Sequence, residues 1–125
     1  MTEMKSRTVA VLGASENPER YSYKAAARLA EHGFRVIPVN PVNTAALGAD
    51  AKRSVAEIEE AVDTLTVYVG PARSSAAAPE ITALKPSRVI FNPGAENPDL
   101  ESKLDAAGIP WLHACTLVLL STGRF

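Results

Sequence analysis

The sequence predicts an α/β fold: a single doubly wound domain with a five-stranded parallel sheet. Short apolar runs alternate with helical patterns along the whole chain. The runs are continuously hydrophobic, which is typical of strands buried on both faces of a parallel sheet. The chain has 125 residues, of which 46% are hydrophobic, so it is long enough to bury a normal core. We therefore expect one domain over residues 1–125.

Five apolar runs predict the strands. They are Arg7–Leu12, Arg35–Val39, Thr64–Val69, Arg88–Phe91 and Ile109–His113. The last residues, "CTLVLLSTGRF", are also apolar. This tail is expected to cover the core of its own domain or to pair with another copy of the chain.

Four helices are predicted between the strands. They are Ser22–His32, Ser54–Ala61, Ser74–Leu84 and Pro98–Ala107. Ser22 is expected to cap the first helix. Ser54 has Glu57 three residues further on, which is the spacing of a capping box. Pro79 is expected to shorten or kink the third helix, because proline cannot donate the backbone hydrogen bond.

Composition excludes several classes of function. The net charge of −1 gives no basic surface for nucleic acid. No segment approaches the roughly 20 apolar residues of a membrane span, and the N-terminus has no apolar signal region. With a single cysteine, Cys115, the chain has no internal disulfide, which favours a cytoplasmic location.

The loop after the first strand, "GASENPERYS", offers a site for a diphosphate. Gly13 permits a tight turn and a close approach to the backbone. Ser15 adds a hydroxyl, and the helix that follows directs free N–H groups at the loop. Arg20 and Lys24 add positive charge. An ordinary strand–helix turn explains the same residues, and the loop alone leaves both interpretations open.

The end of the second strand argues against NAD. NAD-binding folds carry a G-x-G-x-x-G loop and an acidic residue at this strand end. Here only Gly13 is present, and Asn40 takes the place of the acid. A neutral strand end tolerates a nucleotide with an extra phosphate on its ribose, such as NADP or coenzyme A (CoA). The alternative is that Asn40-Pro41 is only a turn.

The loops after the third and fourth strands are less specific. Val69, Gly70 and Pro71 are suited to the floor of an adenine pocket. Gly94-Ala95 would let another group approach the backbone closely, and the neighbouring Glu96 and Asn97 are expected to be exposed. Both loops are equally compatible with ordinary turns.

Catalytic groups are scarce. His32 ends the first helix at the opposite rim and is expected to be solvated or to cap that helix. His113 and Cys115 are two residues apart, but no third group that would orient such a pair is evident. Cys115 is expected to pack as a small apolar residue, with disulfide exchange with the CoA thiol as an alternative. No metal-ligand pattern is present.

The four loops together resemble the small stand-alone CoA-binding domain proteins, which are Rossmann-like and related to the CoA-binding domain of succinyl-CoA synthetase. The segments are "VAVLGASENPERYSYKAAARLAEHGFRVIPVNP", "VYVGP", "FNPGAEN" and "GIPWLHACT". The resemblance implies CoA or an acyl-CoA bound across the strand ends. The residues that it assigns to this ligand are Gly13, Ala14, Ser15, Ser22, Lys24, Asn40, Pro41, Val69, Gly70, Pro71, Gly94 and Ala95.

Two positions depart from the family pattern. Val42 stands just after "NP", where relatives often have a basic residue able to reach the ribose phosphate. An aromatic-x-Gln-x-Gly pattern is usual in the fourth loop of relatives, and here Phe91-Asn92-Pro93-Gly94 lacks the glutamine. The hypothesis is a cytoplasmic CoA or acyl-CoA binding protein without catalysis of its own, which either forms homo-oligomers or docks to a partner enzyme. The alternatives are an NADP-linked oxidoreductase and an interaction subunit with a vestigial nucleotide site.

Overall fold

The computed structural model describes residues 7–125; residues 1–6 of the predicted domain lie outside the described residues. Its sheet has five parallel strands in the order β2-β1-β3-β4-β5. The strands are β1 (Thr8–Leu12), β2 (Arg35–Val39), β3 (Thr64–Val67), β4 (Arg88–Phe91) and β5 (Trp111–His113). The helices are α1 (Tyr21–Glu31), α2 (Pro71–Ala76), α3 (Ala78–Leu84), α4 (Pro98–Ala107) and α5 (Thr116–Ser121). The predicted fold class is confirmed.

Both faces of the sheet are covered. One core contains Val9 and Val11 of β1, Leu29 of α1 and Leu120 of α5. The other core contains Leu65 and Phe91 of the sheet with side chains of α3 and α4. The continuous apolar runs are thus explained, because successive side chains of each central strand point into different cores. The C-terminal tail packs on its own domain, through α5 against α1.

The chain order places a switch point between β1 and β3. From β1 the chain crosses to β2 on one side, and from β2 it returns to β3 on the other side. The loops after β1 and β3 therefore diverge at the carboxyl edge of the sheet. Open α/β sheets bind their ligands in the crevice that this divergence leaves.

Several predicted boundaries were wrong. Helix α1 begins at Tyr21, so Ser22 lies inside its first turn and does not cap it. The predicted helix Ser54–Ala61 is only a 3₁₀ turn over Val55–Glu57, and the Ser54 side chain caps nothing. Strand β3 ends at Val67 and β5 begins at Trp111.

The third predicted helix is divided into α2 and α3. The break lies at Ala77, and Pro79 stands in the first turn of α3. A continuous helix would press the Pro79 ring against the carbonyl four residues earlier and lose one hydrogen bond. The expected effect of Pro79 is confirmed, and a new helix starts where the old one stops.

Candidate functional site

A groove of about 380 Å³ crosses the carboxyl edge at the switch point. Its lining joins the loop after β1, the start of α1, the end of β2 and the loop after β3. The lining residues are Gly13, Ala14, Ser15, Arg20, Tyr21, Ser22, Asn40, Tyr68, Val69, Arg73 and Pro93. We call this the central groove. It brings together six of the predicted site residues: Gly13, Ala14, Ser15, Ser22, Asn40 and Val69.

The loop after β1 is fastened to the end of β2. The backbone N–H groups of Gly13 and Ala14 both donate to the Val39 carbonyl, at 2.9 and 3.2 Å. In return, the Asn40 side-chain amide donates to the Ala14 carbonyl at 2.8 Å. These three hydrogen bonds fix the conformation of the loop, so the three N–H donors already have partners within the protein.

Gly13 is required by packing as well as by backbone conformation. Its φ of +92° lies in the region that glycine favours. A Cβ at this position would lie 2.7 Å from Val69 Cγ1 and 3.2 Å from the Tyr68 carbonyl carbon. The loop after β1 therefore rests directly on the loop after β3, and the groove owes its shape to this contact.

The N-terminus of α1 opens into the central groove without a cap of its own. Arg20 occupies the cap position, no side chain within the described part of the chain accepts a hydrogen bond from the first turn, and that turn holds no acidic residue. The hydroxyl of Ser15 is used within the preceding loop, because Ser15 Oγ accepts a hydrogen bond from the Asn17 N–H at 3.0 Å. The N–H groups of the first turn have no acceptor within the helix. Their partial positive charge faces the groove.

Two arginines add full charges to this end of the groove. Arg20 and Arg73 both line it, and both residues are exposed. Within residues 7–125 neither guanidinium makes an ion pair. The lining residues of the central groove include no carboxylate. The arrangement is suited to an anionic ligand.

A second cavity, of about 250 Å³, continues from the central groove beyond Val69 and Arg73. We call it the Arg53 cavity. It has mostly apolar walls from the ends of β1 and β2, the loop after β3 and α2. The lining residues are Leu12, Val39, Pro41, Arg53, Ser54, Val55, Val69, Arg73, Ala76, Ala77 and Glu80. The predicted site residue Pro41 lies here, whereas Arg53 had not been singled out from the sequence.

A third cavity, of about 280 Å³, continues from the other end and is lined by Tyr21, Tyr68, Asn92, Pro93 and Cys115. We call it the Cys115 cavity. Tyr21, Tyr68 and Pro93 also line the central groove, so the two spaces adjoin. The three cavities together form a track along the carboxyl edge, from the end of β2 to the end of β4.

A buried polar network supports the Cys115 cavity. The Asn92 side-chain amide donates to Thr66 Oγ1 at 2.7 Å and to the Val67 carbonyl at 2.9 Å. Asn92 Oδ1 accepts from the backbone N–H of Thr116 at 2.9 Å. The hydroxyls of Thr66 and Thr116 lie 2.8 Å apart. Asn92 thus joins the ends of β3 and β4 to the start of α5, a function that the sequence did not indicate.

Tyr68 lies beside this network. Its hydroxyl oxygen is buried and makes no hydrogen bond within the described chain. Burial raises the pKa of Tyr68 to about 12, although the nearby hydroxyls of Thr116 and Thr66 act in the opposite direction. The phenol therefore stays protonated near neutral pH.

The remaining predicted site residues lie outside the track. Lys24 lines a separate groove between α1 and α5, and its Nζ lies 5.5 Å from the centre of the Tyr21 ring. Gly70 and Pro71 begin α2 and are exposed. The Gly94 N–H donates to Glu96 Oε1 at 3.0 Å, and the Ala95 N–H donates to the Asn92 carbonyl at 2.8 Å. Gly94 and Ala95 thus shape the turn that carries Pro93.

Asn97, which was expected to be exposed, is buried. Only 2% of its surface is accessible. Its Oδ1 accepts from the Leu100 N–H at 3.2 Å and caps α4. Its Nδ2 donates to Ser74 Oγ at 2.7 Å. That expectation was wrong because the partners of Asn97 come from α2, which is distant in sequence.

The histidines do not lie in the track. His32 Nδ1 lies 2.8 Å from the Arg28 carbonyl at the end of α1, as expected for a capping histidine. His113 Nε2 lies 2.8 Å from Glu101 Oε2, a carboxylate that the sequence did not connect with it. Among the described residues no hydrogen bond joins His113 to Cys115. The same residues contain no cluster of three or more potential metal ligands, and none of their helices is long and apolar enough to cross a membrane.

A parallel sheet with a cationic groove at its switch point defines a nucleotide-binding α/β protein. The sequence profile of the family described as CoA binding domain matches residues 7–121, and the chain belongs to this family. The suspected resemblance is therefore confirmed.

Known relatives agree in fold. The chain is 36% identical over 64 residues to the uncharacterized protein YneT of Bacillus subtilis, a match that spans 51% of this chain and 47% of YneT, about half of each. A solved uncharacterized protein is 41% identical, with a TM-score of 0.89 over 98% of this chain and 100% of the other. The protein called cell-free ID.343 from Thermus thermophilus is 34% identical, with a TM-score of 0.87 over 96% and 91%.

A larger protein contains the same fold. The dinucleotide-forming acetyl-coenzyme A synthetase 1 of Ca. Korarchaeum cryptofilum is 18% identical, with a TM-score of 0.72 over 87% of this chain and 25% of that protein. At this identity the likeness concerns the fold alone.

Proposed function

We propose that the protein binds CoA or an acyl-CoA along the track at the carboxyl edge, without catalysis of its own. One observation carries the proposal: the uncapped N-terminus of α1 opens into a groove between the unpaired arginines Arg20 and Arg73. In a member of the CoA binding domain family, this is the place for the diphosphate of the ligand.

The diphosphate accepts hydrogen bonds from the first turn of α1. The N–H groups of Gly13 and Ala14 are engaged with Val39, so these two residues contribute the shape of the loop. Donors for the diphosphate are the first-turn amides of α1 and the guanidinium groups of Arg20 and Arg73. Ser22, buried in that first turn, contributes its backbone amide.

The adenosine part occupies the Arg53 cavity. Leu12, Val39, Pro41 and Val69 provide an apolar surface for the base. Arg73 lines both this cavity and the central groove, so it lies where adenosine joins the diphosphate. Asn40, whose amide holds the loop after β1, presents no carboxylate that would repel a phosphorylated ribose.

The pantetheine arm extends toward the Cys115 cavity. Tyr21 and Tyr68 lead from the central groove into it. The lining of this cavity is mostly apolar and its Tyr68 hydroxyl stays protonated, which suits a thiol or a short thioester. Among the residues that line the track, the one carboxylate is that of Glu80 in the Arg53 cavity, away from the thiol end. No carboxylate of this lining is therefore placed to act as an acid or base at the thioester, which supports binding without acid–base catalysis. Carrying CoA thioesters, or presenting them to a partner enzyme, suits such a site.

Calorimetric titration of the purified protein with CoA, acetyl-CoA, NADP and NAD tests the proposal. Verification that the protein carries no ligand precedes the titrations. Micromolar binding of CoA and acetyl-CoA, with no heat from NADP or NAD, is the expected result. Preferential binding of NADP would contradict the proposal and favour an oxidoreductase. No binding of any of the four ligands would favour an interaction subunit with a vestigial site.

A further inference from the structure

We infer that Arg53 binds the 3′-phosphate on the ribose of CoA and so distinguishes CoA from dephospho-CoA, which lacks only that phosphate. The inference rests on the proposed function and concerns one end of the same site. Val42, which follows Asn40-Pro41 at the end of β2, is apolar and 63% exposed, so it offers no charge to the ribose phosphate. Arg53 supplies the missing charge from another segment.

The backbone places Arg53 next to the end of β2. Residue Lys52 forms a parallel bridge with Val39. The Lys52 N–H donates to the Pro38 carbonyl at 2.8 Å, and the Asn40 N–H donates to the Lys52 carbonyl at 3.0 Å. The segment that carries Arg53 therefore lies directly beside Asn40 and Pro41.

The guanidinium of Arg53 has no partner within residues 7–125. Two carboxylates near this segment each accept a hydrogen bond from a backbone N–H. Glu57 Oε1 accepts from the backbone N–H of Arg53 at 2.8 Å, and Glu80 Oε1 accepts from the Ala56 N–H at 3.3 Å. By contrast, Arg35 at the opposite edge binds Glu60 through two hydrogen bonds of 2.6 and 2.7 Å. The charge at Arg53 is thus available to a ligand.

The chemistry of the cavity fits a phosphomonoester attached to a nucleoside. The base is placed against Pro41 and Val69, so substituents of the ribose lie at the mouth, where Arg53 and Arg73 are exposed. Arginine binds phosphate through paired N–H donors, and such charge-assisted bonds are stronger than neutral ones. Arg73 also lines the diphosphate groove, so Arg53 is the residue whose effect is specific to the 3′-phosphate.

Titrations of CoA and dephospho-CoA into the wild type and Arg53→Ala test the inference. The wild type is expected to bind CoA about tenfold or more tightly than dephospho-CoA. In Arg53→Ala, the affinity for CoA is expected to fall to the level of the affinity for dephospho-CoA. The affinity for dephospho-CoA itself is expected to be the same as in the wild type. Arg53→Lys is expected to retain part of the preference for CoA.

Lys52→Ala is the matched control. This variant also removes one positive charge, one residue away from Arg53. The charge of Lys52 helps to lower the pKa of Glu60, and Lys52 does not line the Arg53 cavity. It is expected to leave the preference for CoA intact. Equal binding of the two ligands by the wild type, or equal loss of both in Arg53→Ala, would overturn the inference while the proposed function stands. Failure of the wild type to bind either ligand would overturn the proposed function itself.

Discussion

Helices α1 and α4 both begin at the carboxyl edge of the sheet, but their N-termini are completed differently. At α4, Asn97 caps the helix, Glu101 Oε2 accepts from the Asn97 N–H at 3.0 Å, and Asp99 adds a further negative charge. At α1, Arg20 stands at the cap position, and no side chain of residues 7–125 accepts a hydrogen bond from the first turn. The N-terminus of α4 is therefore complete within the protein, whereas that of α1 is suited to an anion.

This difference separates residues that stabilise the fold from residues that we propose bind the ligand. Changes at α4 should affect the free energy of unfolding and leave binding unchanged. Changes at the N-terminus of α1 should weaken binding without lowering the free energy of unfolding. The exception is the loop before α1, which has both functions because Gly13 packs on the loop after β3.

The largest effect is expected from Gly13→Ala. The new Cβ would lie 2.7 Å from Val69 Cγ1, and the φ of +92° disfavours alanine. We expect a loss of about 4 kcal/mol in the free energy of unfolding, measured by urea denaturation. Gly94→Ala is the control, since Gly94 has a φ of +90° but nothing within 4 Å of a Cβ. It should cost only about 1–2 kcal/mol. Equal losses in the two variants would show that the contact with Val69 is unimportant.

Removal of the α4 cap comes next. Asn97→Ala removes the acceptor for the Leu100 N–H and the donor to buried Ser74. The free energy of unfolding should fall by about 2–3 kcal/mol, with the affinity for CoA unchanged by calorimetry. Asn97→Ser retains a capping oxygen and should lose less stability. A large fall in CoA affinity for either variant, in protein that is still folded, would contradict the division between the two helices.

Arg20→Asp should convert the N-terminus of α1 into one like that of α4. The carboxylate would cap the first turn and raise the free energy of unfolding by about 1 kcal/mol. It would also occupy the donors meant for the diphosphate and repel it, so the affinity for CoA should fall by a factor of about ten or more. Thermal denaturation and calorimetry measure the two effects. Arg20→Ser, a neutral cap, should stabilise the protein with a smaller loss of affinity. A variant that is both less stable and binds CoA normally would refute this account of α1.

The features that could be predicted from the sequence are those that depend on a local pattern of residues. Continuous apolar runs identified every strand, and their parallel arrangement indicated which loops share an edge. Features that depend on distant partners escaped prediction. Ser22 looked like a cap, but Ser15 and Asn17 close the preceding turn and the helix starts one residue earlier. Asn97 looked exposed because its partner Ser74 is 23 positions away.

Prediction of the candidate site from the sequence was limited in the same way. Gly13, Ala14, Ser15, Ser22 and Asn40 come from segments whose spacing is characteristic of the family, and the structure places them in one groove. Arg53 comes from the bend before the 3₁₀ turn and Arg73 from α2, and only the tertiary arrangement brings them together in one cavity. The sequence groups Lys24 with the phosphate site because of its positive charge beside the loop and through the family resemblance. A helix of 3.6 residues per turn directs it toward α5 instead.

The smallest effect concerns the Cys115 cavity, at one end of the track. Cys115 is the only cysteine of the chain and lines the cavity proposed for the pantetheine arm. Saturating acetyl-CoA, which has no free thiol, should slow the modification of Cys115 by N-ethylmaleimide severalfold, as followed by intact mass. Dephospho-CoA acetylated on its thiol should protect equally at saturation, because it retains the pantetheine arm. NAD provides the negative control. Unchanged labelling at saturating acetyl-CoA would mean that the thioester lies elsewhere and that the track ends at the central groove.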